Sequence, residues 1–223
     1  MVSNPYVEWN HQRALEEQEH IRAAVERSSR YGEIRFIVGL DCSLSRNSSL
    51  VLGAAVLFRW PELKRITDAM CAVDARVPYV PGFLAFREIP ALRAALQKLT
   101  AVPDLALVDG HGIAHPRRCG LASHLGVLED LPAIGVAKSI LVGTATSNVG
   151  ESVGNRAALI DGGEQIGWLV RTRLHSRPLI VSTGHRVSSQ DAVEWVLRCS
   201  DGHRLPVPIA AAHQLLQEAR QSF

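Results

Sequence analysis

The sequence lacks the features that mark disulfide-rich, zinc-binding and membrane proteins. Its four cysteines lie far apart and include no C-x-x-C pair, so neither a disulfide framework nor a zinc site is indicated. Free thiols in a reducing compartment are expected instead. The N-terminus has no apolar signal segment, and no run elsewhere reaches the ~18 apolar residues of a membrane span. We therefore expect a soluble cytoplasmic protein that does not associate with membranes.

A strong charge imbalance is also missing. The chain has 24 Lys and Arg against 22 Asp and Glu, a net charge of +2, so binding to a polyanion would depend on local clusters of basic residues. No internal repeat or change of composition divides the 223 residues, and 47% hydrophobic residues are sufficient for one large core. The expectation is one domain that spans residues 1–223, and the small net charge is compatible with a monomer.

The patterns of apolar residues predict an α/β fold. Its N-terminal part contains three consecutive strands with short connections, which is typical of an antiparallel meander. These strands are predicted at Ile34–Asp41, Leu50–Phe58 and Lys64–Ala75, with a hydroxyl-rich turn at Ser43–Ser49. The segment Arg76–Glu88 is rich in proline and aromatic residues and is predicted to be an irregular loop.

Helices and strands alternate in the remainder of the chain, so the meander is expected to be followed by parallel strands in one mixed sheet flanked by helices. The predicted strands are Leu105–Val108, Ala133–Ala137, Gln165–Arg173 and Pro178–Ser182. The predicted helices, including one before the meander, are Val7–Arg30, Glu88 or Pro90 to Leu99, Gly120–Leu128, Ser189–Arg198 and Ile209–Arg220. The segment Gly143–Asn155 is rich in Gly, Ser, Thr and Asn and is predicted to be a mobile loop.

The stretch from Asp104 to Gly126 is the most informative part of the sequence. Its apolar run ends at Asp109-Gly110-His111-Gly112, which places a carboxylate at the tip of a buried strand beside glycines that let the backbone approach a ligand. The segment His115-Pro116-Arg117-Arg118 then adds an imidazole and two guanidinium groups. This combination is typical of a site where a metal and a phosphate meet. An Asp-Gly pair after a strand is also common in simple turns.

Two further acids lie at suggestive positions. Asp41 stands at the end of the first predicted strand, and Glu88 stands at the start of a predicted helix. With Asp109 they offer three hard oxygen ligands, which suit Mg²⁺ or Mn²⁺ and favour a phosphodiester-cleaving metal site. Each acid has a simpler explanation when it is taken alone, since an acid at a helix start also interacts favourably with the helix dipole.

Four ordered blocks of the sequence are recognisable as parts of a known family. They are VPYVPGFLAFRE (Val77–Glu88), LVDGHGIAHPRRCGLASHLG (Leu107–Gly126), IGVAKS (Ile134–Ser139) and STGHRVS (Ser182–Ser188). Together they resemble the endonuclease V, or deoxyinosine 3′ endonuclease, family, and the resemblance extends from about Val38 to about Pro208. It implies an RNase H-like fold, Mg²⁺ as cofactor with Mn²⁺ as a substitute, and a role in DNA repair. It also implies nicking of DNA, or of inosine-containing RNA, at the second phosphodiester bond 3′ of a deaminated base.

The resemblance assigns roles to residues by their position. The metal-binding acids fall on Asp41, Glu88 and Asp109, the same three that were selected on chemical grounds. A strand-separating wedge falls on Pro78-Tyr79-Val80-Pro81, whose rigid prolines would hold Tyr79 against the base stack; the alternative for Tyr79 is a buried aromatic loop. The pocket for the flipped base falls on Gly82, Leu84, Gly110 and Gly120, and turns or helix caps are the alternative explanation for these glycines.

Basic residues also receive roles from the resemblance. Lys138 and His115 correspond to residues near the scissile phosphate, where a cation would stabilise developing charge and an imidazole could assist water or a leaving group, or ligate a metal. The alternatives are a solvated charge at a strand end for Lys138 and a turn cap for His115. His185 is interpreted as a structural or DNA-contacting residue, and His213 matches a histidine that only some members have. The segment Pro206-Val207-Pro208-Ile209-Ala210 departs from the family's Pro-Glu-Pro-Thr-Arg, so an acid, a hydroxyl and a base are absent there.

Two other functions share part of this pattern. A structure-specific resolvase of the same fold would use the acids but would not need a wedge beside a base-sized pocket. A non-catalytic protein that binds damaged nucleic acid would be favoured by the loss of any one acid, and all three acids are present.

Overall fold

The structure, a computed structural model, describes residue 6 and residues 8–44 and 50–222. These residues contain five helices and nine strands. The helices are α1 His11–Ala24, α2 Leu84–Leu96, α3 Leu121–Leu128, α4 Ser189–Arg198 and α5 Val207–Ser222. The strands are β1 Phe36–Leu44, β2 Leu50–Arg59, β3 Lys64–Asp74, β4 Leu105–Asp109, β5 Ala133–Ala137, β6 Thr144–Ala145, β7 Arg156–Asp161, β8 Glu164–Val170 and β9 Leu179–His185.

The nine strands form one mixed sheet in the order β3-β2-β1-β4-β5-β9-β8-β7-β6. Antiparallel pairing of β1 with β2 and of β2 with β3 confirms the predicted meander. The central strands β1, β4 and β5 pair in parallel. The remaining pairs, from β5–β9 to β6–β7, are antiparallel. The mixed α/β sheet is therefore confirmed, whereas the parallel part is shorter than predicted.

The antiparallel second half of the sheet includes a hairpin that the sequence patterns did not predict. Strand β7 leads directly into β8 through Gly162-Gly163, and both glycines have positive φ, which is the backbone conformation that tight hairpin turns require. The predicted loop Gly143–Asn155 contains the two-residue strand β6, which pairs with β7. Among the described residues, no helix has the length and apolar character that a membrane crossing requires.

Several element boundaries differ from the predictions. Strand β1 continues three residues beyond Asp41, because its antiparallel pairing with β2 extends to Leu44. Helix α2 begins at Leu84, so Glu88 lies inside the helix and not at its start. Pro90 also lies inside α2, where burial of the helix face outweighs the unfavourable proline. Within the turn predicted at Ser43–Ser49, positions 45–49 lie outside the described residues.

Alternation along the central strands assigns side chains to the two faces of the sheet. Leu40 in β1 and Val108 in β4 belong to the core cluster that includes residues of α2 and α3. Ile37 in β1 and Leu107 in β4 belong to the cluster on the opposite face, which includes residues of α4 and α5. Because successive strand residues point to opposite faces, Asp41 shares the face of Ile37 and points toward α5.

Two helices approach the sheet closely at glycines. A Cβ at Gly39 would lie 1.9 Å from the carbonyl oxygen of Pro208 in α5, and a Cβ at Gly53 would lie 2.5 Å from the carbonyl carbon of Ala91 in α2. No side chain larger than hydrogen fits at either position unless the helix backbone moves. The two glycines therefore determine how closely α5 and α2 cover the central strands.

Gly39→Ala is expected to lower the free energy of unfolding by about 1–3 kcal/mol, because the added methyl group displaces the N-terminal end of α5. Gly32→Ala is the matched control, since no heavy atom lies within 4 Å of a Cβ there, and its effect should stay within about 0.5 kcal/mol. Urea denaturation of the parent protein and both variants measures the difference. Equal stability of the two variants would contradict the close packing of α5 on β1.

Candidate active site

The strand register brings Asp41 and Asp109 together. The parallel pairing of β1 with β4 ends with Leu40 opposite Val108, so the next residues along the two strands are the two aspartates. Both point to the face covered by α5, and both stand near the C-terminal ends of parallel strands, where ligands bind in open α/β sheets. Two carboxylates are therefore held side by side by backbone pairing.

Lys138 and His213 complete this group of polar side chains. Lys138 lies two residues beyond Val136, which pairs with Asp109, and its Nζ forms an ion pair with Asp109 Oδ2. His213 reaches the acids from α5, and its Nδ1 lies 2.8 Å from Asp41 Oδ2. One ligand atom from each of Asp41, Asp109 and His213 lies within 4.8 Å of the other two. Two carboxylates and an imidazole at this spacing fit a divalent metal ion.

Burial and repulsion by nearby carboxylates destabilise the ionised forms of Asp41 and Glu88 when no cation is bound. Burial raises the pKa of Asp41, and the charge of Asp109 raises it further, whereas the hydrogen bond with His213 lowers it. Burial, followed by the charges of Asp41 and Asp109, raises the pKa of Glu88 to about 8. In the protein without metal these carboxyl groups retain protons more readily, and a divalent ion would take the place of those protons.

Glu88 approaches this edge of the sheet from the opposite layer, because α2 covers the other face. It is not a member of the compact group formed by Asp41, Asp109 and His213 in the described part of the chain. It lines the adjoining cavity together with both aspartates. The three predicted acids are thus brought to one edge, but His213 and not Glu88 lies in the compact group.

Two cavities meet at Asp41 and Asp109. The first has a volume of about 270 Å³ and is lined by both aspartates, Lys138 and His213. The second also has a volume of about 270 Å³ and shares both aspartates with the first. Its lining includes these residues predicted for the wedge and the base pocket: Tyr79, Val80, Pro81, Gly82, Leu84, Gly110 and Gly120. Pro78 is exposed and lines neither cavity.

The second cavity lies between two walls. One wall comes from the loop before α2 and from the first turns of that helix, which include Gly82 and Glu88. The other wall comes from the segment between β4 and α3, which includes Gly110 and Gly120. Tyr79 belongs to the first wall and is 65% exposed. The alternative that Tyr79 is buried in an aromatic loop is therefore wrong.

Two of the predicted histidines, His115 and His185, lie apart from the compact group of acids. His115 is 5% exposed and lines the second cavity, apart from the compact group of acids. The backbone N–H of Arg117 donates to its Nδ1 at 3.2 Å, and burial, followed by the charge of Arg117, lowers its pKa to about 4. The ring is therefore neutral near pH 7. His185 is also buried, and its Nδ1 accepts from the backbone N–H of Glu26 at 3.3 Å, which favours the structural interpretation over a DNA contact.

Two residues of this region were not identified from the sequence. His111 lines the second cavity, and its Nε2 lies 2.9 Å from the Ser139 carbonyl oxygen; its place beside Asp109 was a usable signal. Gln18 in α1 is 1% exposed and donates from Nε2 to the Gly82 carbonyl oxygen at 2.8 Å. It stands in line with the apolar stripe of α1 at helical spacing, which is a signal of burial.

Comparisons with known proteins agree on one family. A family model described as Endonuclease V matches residues 18–214. Endonuclease V of Gloeobacter violaceus is 43% identical over 220 residues, which cover 96% of this chain and 89% of the relative. Endonuclease V of Alkalilimnicola ehrlichii is 48% identical over 181 residues, which cover 81% of this chain and 79% of the relative.

Solved structures are similar over nearly the whole chain. The crystal structure of endonuclease V from Streptomyces avermitilis has a TM-score of 0.90 and 35% identity, and the match covers 96% of this chain and 94% of that chain. The structure of Ciona intestinalis endonuclease V in complex with DNA containing an inosine has a TM-score of 0.83 and 30% identity, covering 95% of this chain and 97% of that chain. The fold is therefore RNase H-like.

Glu88→Gln is expected to remove part of the pH dependence of stability in the metal-free protein. The folded-state pKa of Glu88, about 8, lies above its ordinary value of 4.5, so the folded protein holds a proton that the unfolded chain releases. The stability that this group contributes is complete below about pH 4.5 and is lost as the pH rises through about 8. Between about pH 6.5 and about pH 8.5, the parent protein should therefore lose stability more steeply than the variant.

Urea denaturation in EDTA at several pH values in that window measures the two slopes. Histidines whose pKa is lowered by burial, such as His115, act in the opposite direction only below about pH 6.5, so they do not obscure the comparison. Parallel curves for the two proteins would show that Glu88 is ionised throughout the window and would contradict the raised pKa.

Proposed function

This chain belongs to the endonuclease V family and is an endonuclease that acts on deaminated bases, and we propose that it uses Mg²⁺ held by Asp41 and Asp109. We further propose that it hydrolyses the second phosphodiester bond 3′ of deoxyinosine. The observation that carries the proposal is the shared boundary of the two cavities, since both aspartates line the metal group and the base-sized pocket. A base in the second cavity would bring its own strand to the metal.

Each polar side chain of the group has a role in this proposal. The metal, when bound, supplies positive charge that stabilises the phosphoryl group during hydrolysis. Asp41 and Asp109 would hold it, with His213 as a third ligand or as the hydrogen-bond partner that orients Asp41. Lys138 lies against Asp109, where its ammonium group can stabilise negative charge on the phosphate. Glu88 adds a carboxylate from the base-pocket side.

The second cavity supplies recognition of the base. Its glycines allow backbone groups to approach a flipped base closely, which suits hypoxanthine because it is small and can be recognised by hydrogen bonds once it leaves the duplex. Tyr79 stands exposed at the rim, where it can occupy the space that the flipped base leaves. His115 is a neutral part of the pocket wall in this proposal, so a role as a metal ligand is not assigned to it.

A local cluster of basic residues supports binding of nucleic acid in spite of the small net charge. Strand β9 pairs antiparallel with β5, with Ile180 opposite Ala137, so the segment before β9 lies at the edge where Lys138 stands. The Arg204 guanidinium links the segment before β9 to Lys138, because it donates to the carbonyl oxygens of Arg177 at 2.9 Å and Lys138 at 3.3 Å. The side chain of Arg177 is exposed there. Positive charge at this edge would bind the phosphates that flank the cleaved bond.

Cleavage assays on matched strands test the proposal. The parent protein should nick DNA or RNA strands that carry inosine in Mg²⁺, and it should leave the same strands intact in EDTA and leave lesion-free strands intact in Mg²⁺. Asp41→Asn and Asp109→Asn should each reduce nicking by orders of magnitude, because an amide cannot hold the divalent ion. Binding of the lesion in Ca²⁺ should largely survive.

The melting temperature provides the control, since removal of one charge from a repelling pair should not destabilise the fold. Near-normal nicking by either stable variant would remove that aspartate from the metal site. A parent protein that cuts lesion-free and inosine strands alike would instead contradict the assignment of the substrate.

Tyr79→Ala is expected to weaken recognition of inosine in duplex DNA more than in a single strand. Unstacking a paired base costs a few kcal/mol, and the wedge offsets this cost only where there is a partner strand to separate. Because the ring is 65% exposed, the melting temperature should hardly change. Single-turnover cleavage of both substrates measures the effect, and Val102→Ala, at an 82% exposed position before β4, is the control. Equal losses on both substrates would rule out the wedge.

A further inference from the structure

The carbonyl oxygen of Gly82 accepts hydrogen bonds from two side chains that are far away in the sequence. Gln18 Nε2 in α1 donates to it at 2.8 Å, and Arg117 Nη2 donates to it at 2.6 Å. The two side chains also bind each other, because Arg117 Nε donates to Gln18 Oε1. The three groups form a closed ring of hydrogen bonds, which we name the Gly82 clamp.

The Gly82 clamp joins the two walls of the base-sized cavity. Gly82 belongs to the wall formed by the loop before α2, and Arg117 belongs to the segment between β4 and α3 that also supplies His115 and Gly120 to the other wall. The hydrogen bond from Arg117 to Gly82 therefore crosses from one wall to the other. Gln18 bonds to both partners from outside the cavity, since α1 contributes no residue to the lining.

Each member of the clamp is restrained. Gln18 is 1% exposed, so its amide would be costly to bury without the two hydrogen bonds. The guanidinium of Arg117 also lies over the ring of Phe83, 4.2 Å from its centroid. Gly82 has a φ of +78°, and a Cβ there would lie 2.8 Å from Arg117 Nη2. The distance between the walls is thus fixed by groups that do not themselves line the metal cavity.

We propose that Gln18 and Arg117 are positioning residues that fix the width of the base pocket and thereby set its selectivity for hypoxanthine over guanine. The inference rests on the proposed function. Guanine differs from hypoxanthine by an amino group at C2, and a pocket of fixed width rejects the larger base by steric clash. Loosening the walls should admit guanine more readily while leaving the metal group unchanged.

Gln18→Leu is the first test, because leucine has a similar size but forms neither hydrogen bond. Selectivity is measured by equilibrium binding in Ca²⁺ to duplexes with deoxyinosine or deoxyguanosine at one position. It is expressed as the ratio of the Kd for deoxyguanosine to the Kd for deoxyinosine. We expect this ratio to fall about tenfold, a size of effect typical of losing the hydrogen bonds of one side chain. In Mg²⁺, KM for the deoxyinosine duplex should rise while kcat stays nearly constant.

Gln12→Leu is the matched control on the same helix. The side chain of Gln12 is exposed and bonds to Glu16, one turn further along α1, so the substitution repeats the change of chemistry away from the clamp. It should leave the Kd ratio and KM at their parent values. A fall in the ratio with Gln12→Leu as well would mean that α1 as a whole, and not the clamp, determines selectivity.

Arg117→Lys separates the clamp from a simple effect of charge, and it serves as the second variant if Gln18→Leu does not fold. Lysine keeps the positive charge but replaces the rigid planar fork, whose Nε and Nη2 donate to Gln18 and Gly82 in fixed directions, by a flexible point charge. The inference predicts that Arg117→Lys lowers selectivity as Gln18→Leu does, and that the double variant is no worse than either single variant. Full selectivity in Arg117→Lys would overturn the inference.

The outcomes distinguish the clamp from the proposed function. Equal losses of affinity for deoxyinosine and deoxyguanosine, together with a lower melting temperature, would show that the ring only stabilises the fold. An unchanged Kd ratio in a stable Gln18→Leu protein would also overturn the inference while the nuclease activity stands. A parent protein that shows no preference for deoxyinosine would overturn the proposed function, and the inference would fall with it.

Discussion

The structure depends on two carboxylates that the sheet forces to lie side by side. Asp41 and Asp109 directly follow the last pair of the parallel ladder, Leu40 opposite Val108, and point to one face, so neither can turn away without breaking backbone pairing. Lys138 offsets part of this negative charge through its ion pair with Asp109, and His213 forms a hydrogen bond with Asp41. Burial, followed by the charges of these two aspartates, raises the pKa of Glu88, which approaches from the other layer. A divalent cation between the two aspartates would reduce the repulsion among these carboxylates, and the group formed by Asp41, Asp109 and His213 could hold one.

The proposed recognition of the base would use elements other than those that hold the metal group. The acids stand on strands that backbone pairing fixes, whereas the proposed base pocket lies between the loop before α2 and the segment from β4 to α3. Such a pocket has no backbone ladder to fix its width, so side-chain hydrogen bonds have to do so. The clamp at Gly82 supplies them from α1 and Arg117. The two cavities can therefore respond independently to substitution, although they share the two aspartates.

Much of this fold was predictable because the signals are local. Strand β5 and helix α4 match their predicted bounds, since one is a buried apolar run and the other has a side-chain cap, with Asp191 N–H donating to Ser188 Oγ at 3.0 Å. The end of β1 and the start of α2 were wrong, because pairing with β2 and burial of the α2 face decide them. The contact of His213 with the acids depends on how α5 packs on the sheet, which no local pattern encodes.

The divergent segment Pro206–Ala210, which contains the start of α5, shows how packing and chemistry are connected. Pro206, Pro208 and Ile209 are buried, and Ile209 belongs to the core cluster of the α4 and α5 face. The carbonyl of Pro208 lies against Gly39, the residue two positions before Asp41 on the same face of β1. In this chain the segment anchors α5 through apolar contacts instead of offering charged groups to nucleic acid. His213 follows about one helical turn later, so the position of its imidazole beside Asp41 is determined by this apolar anchor.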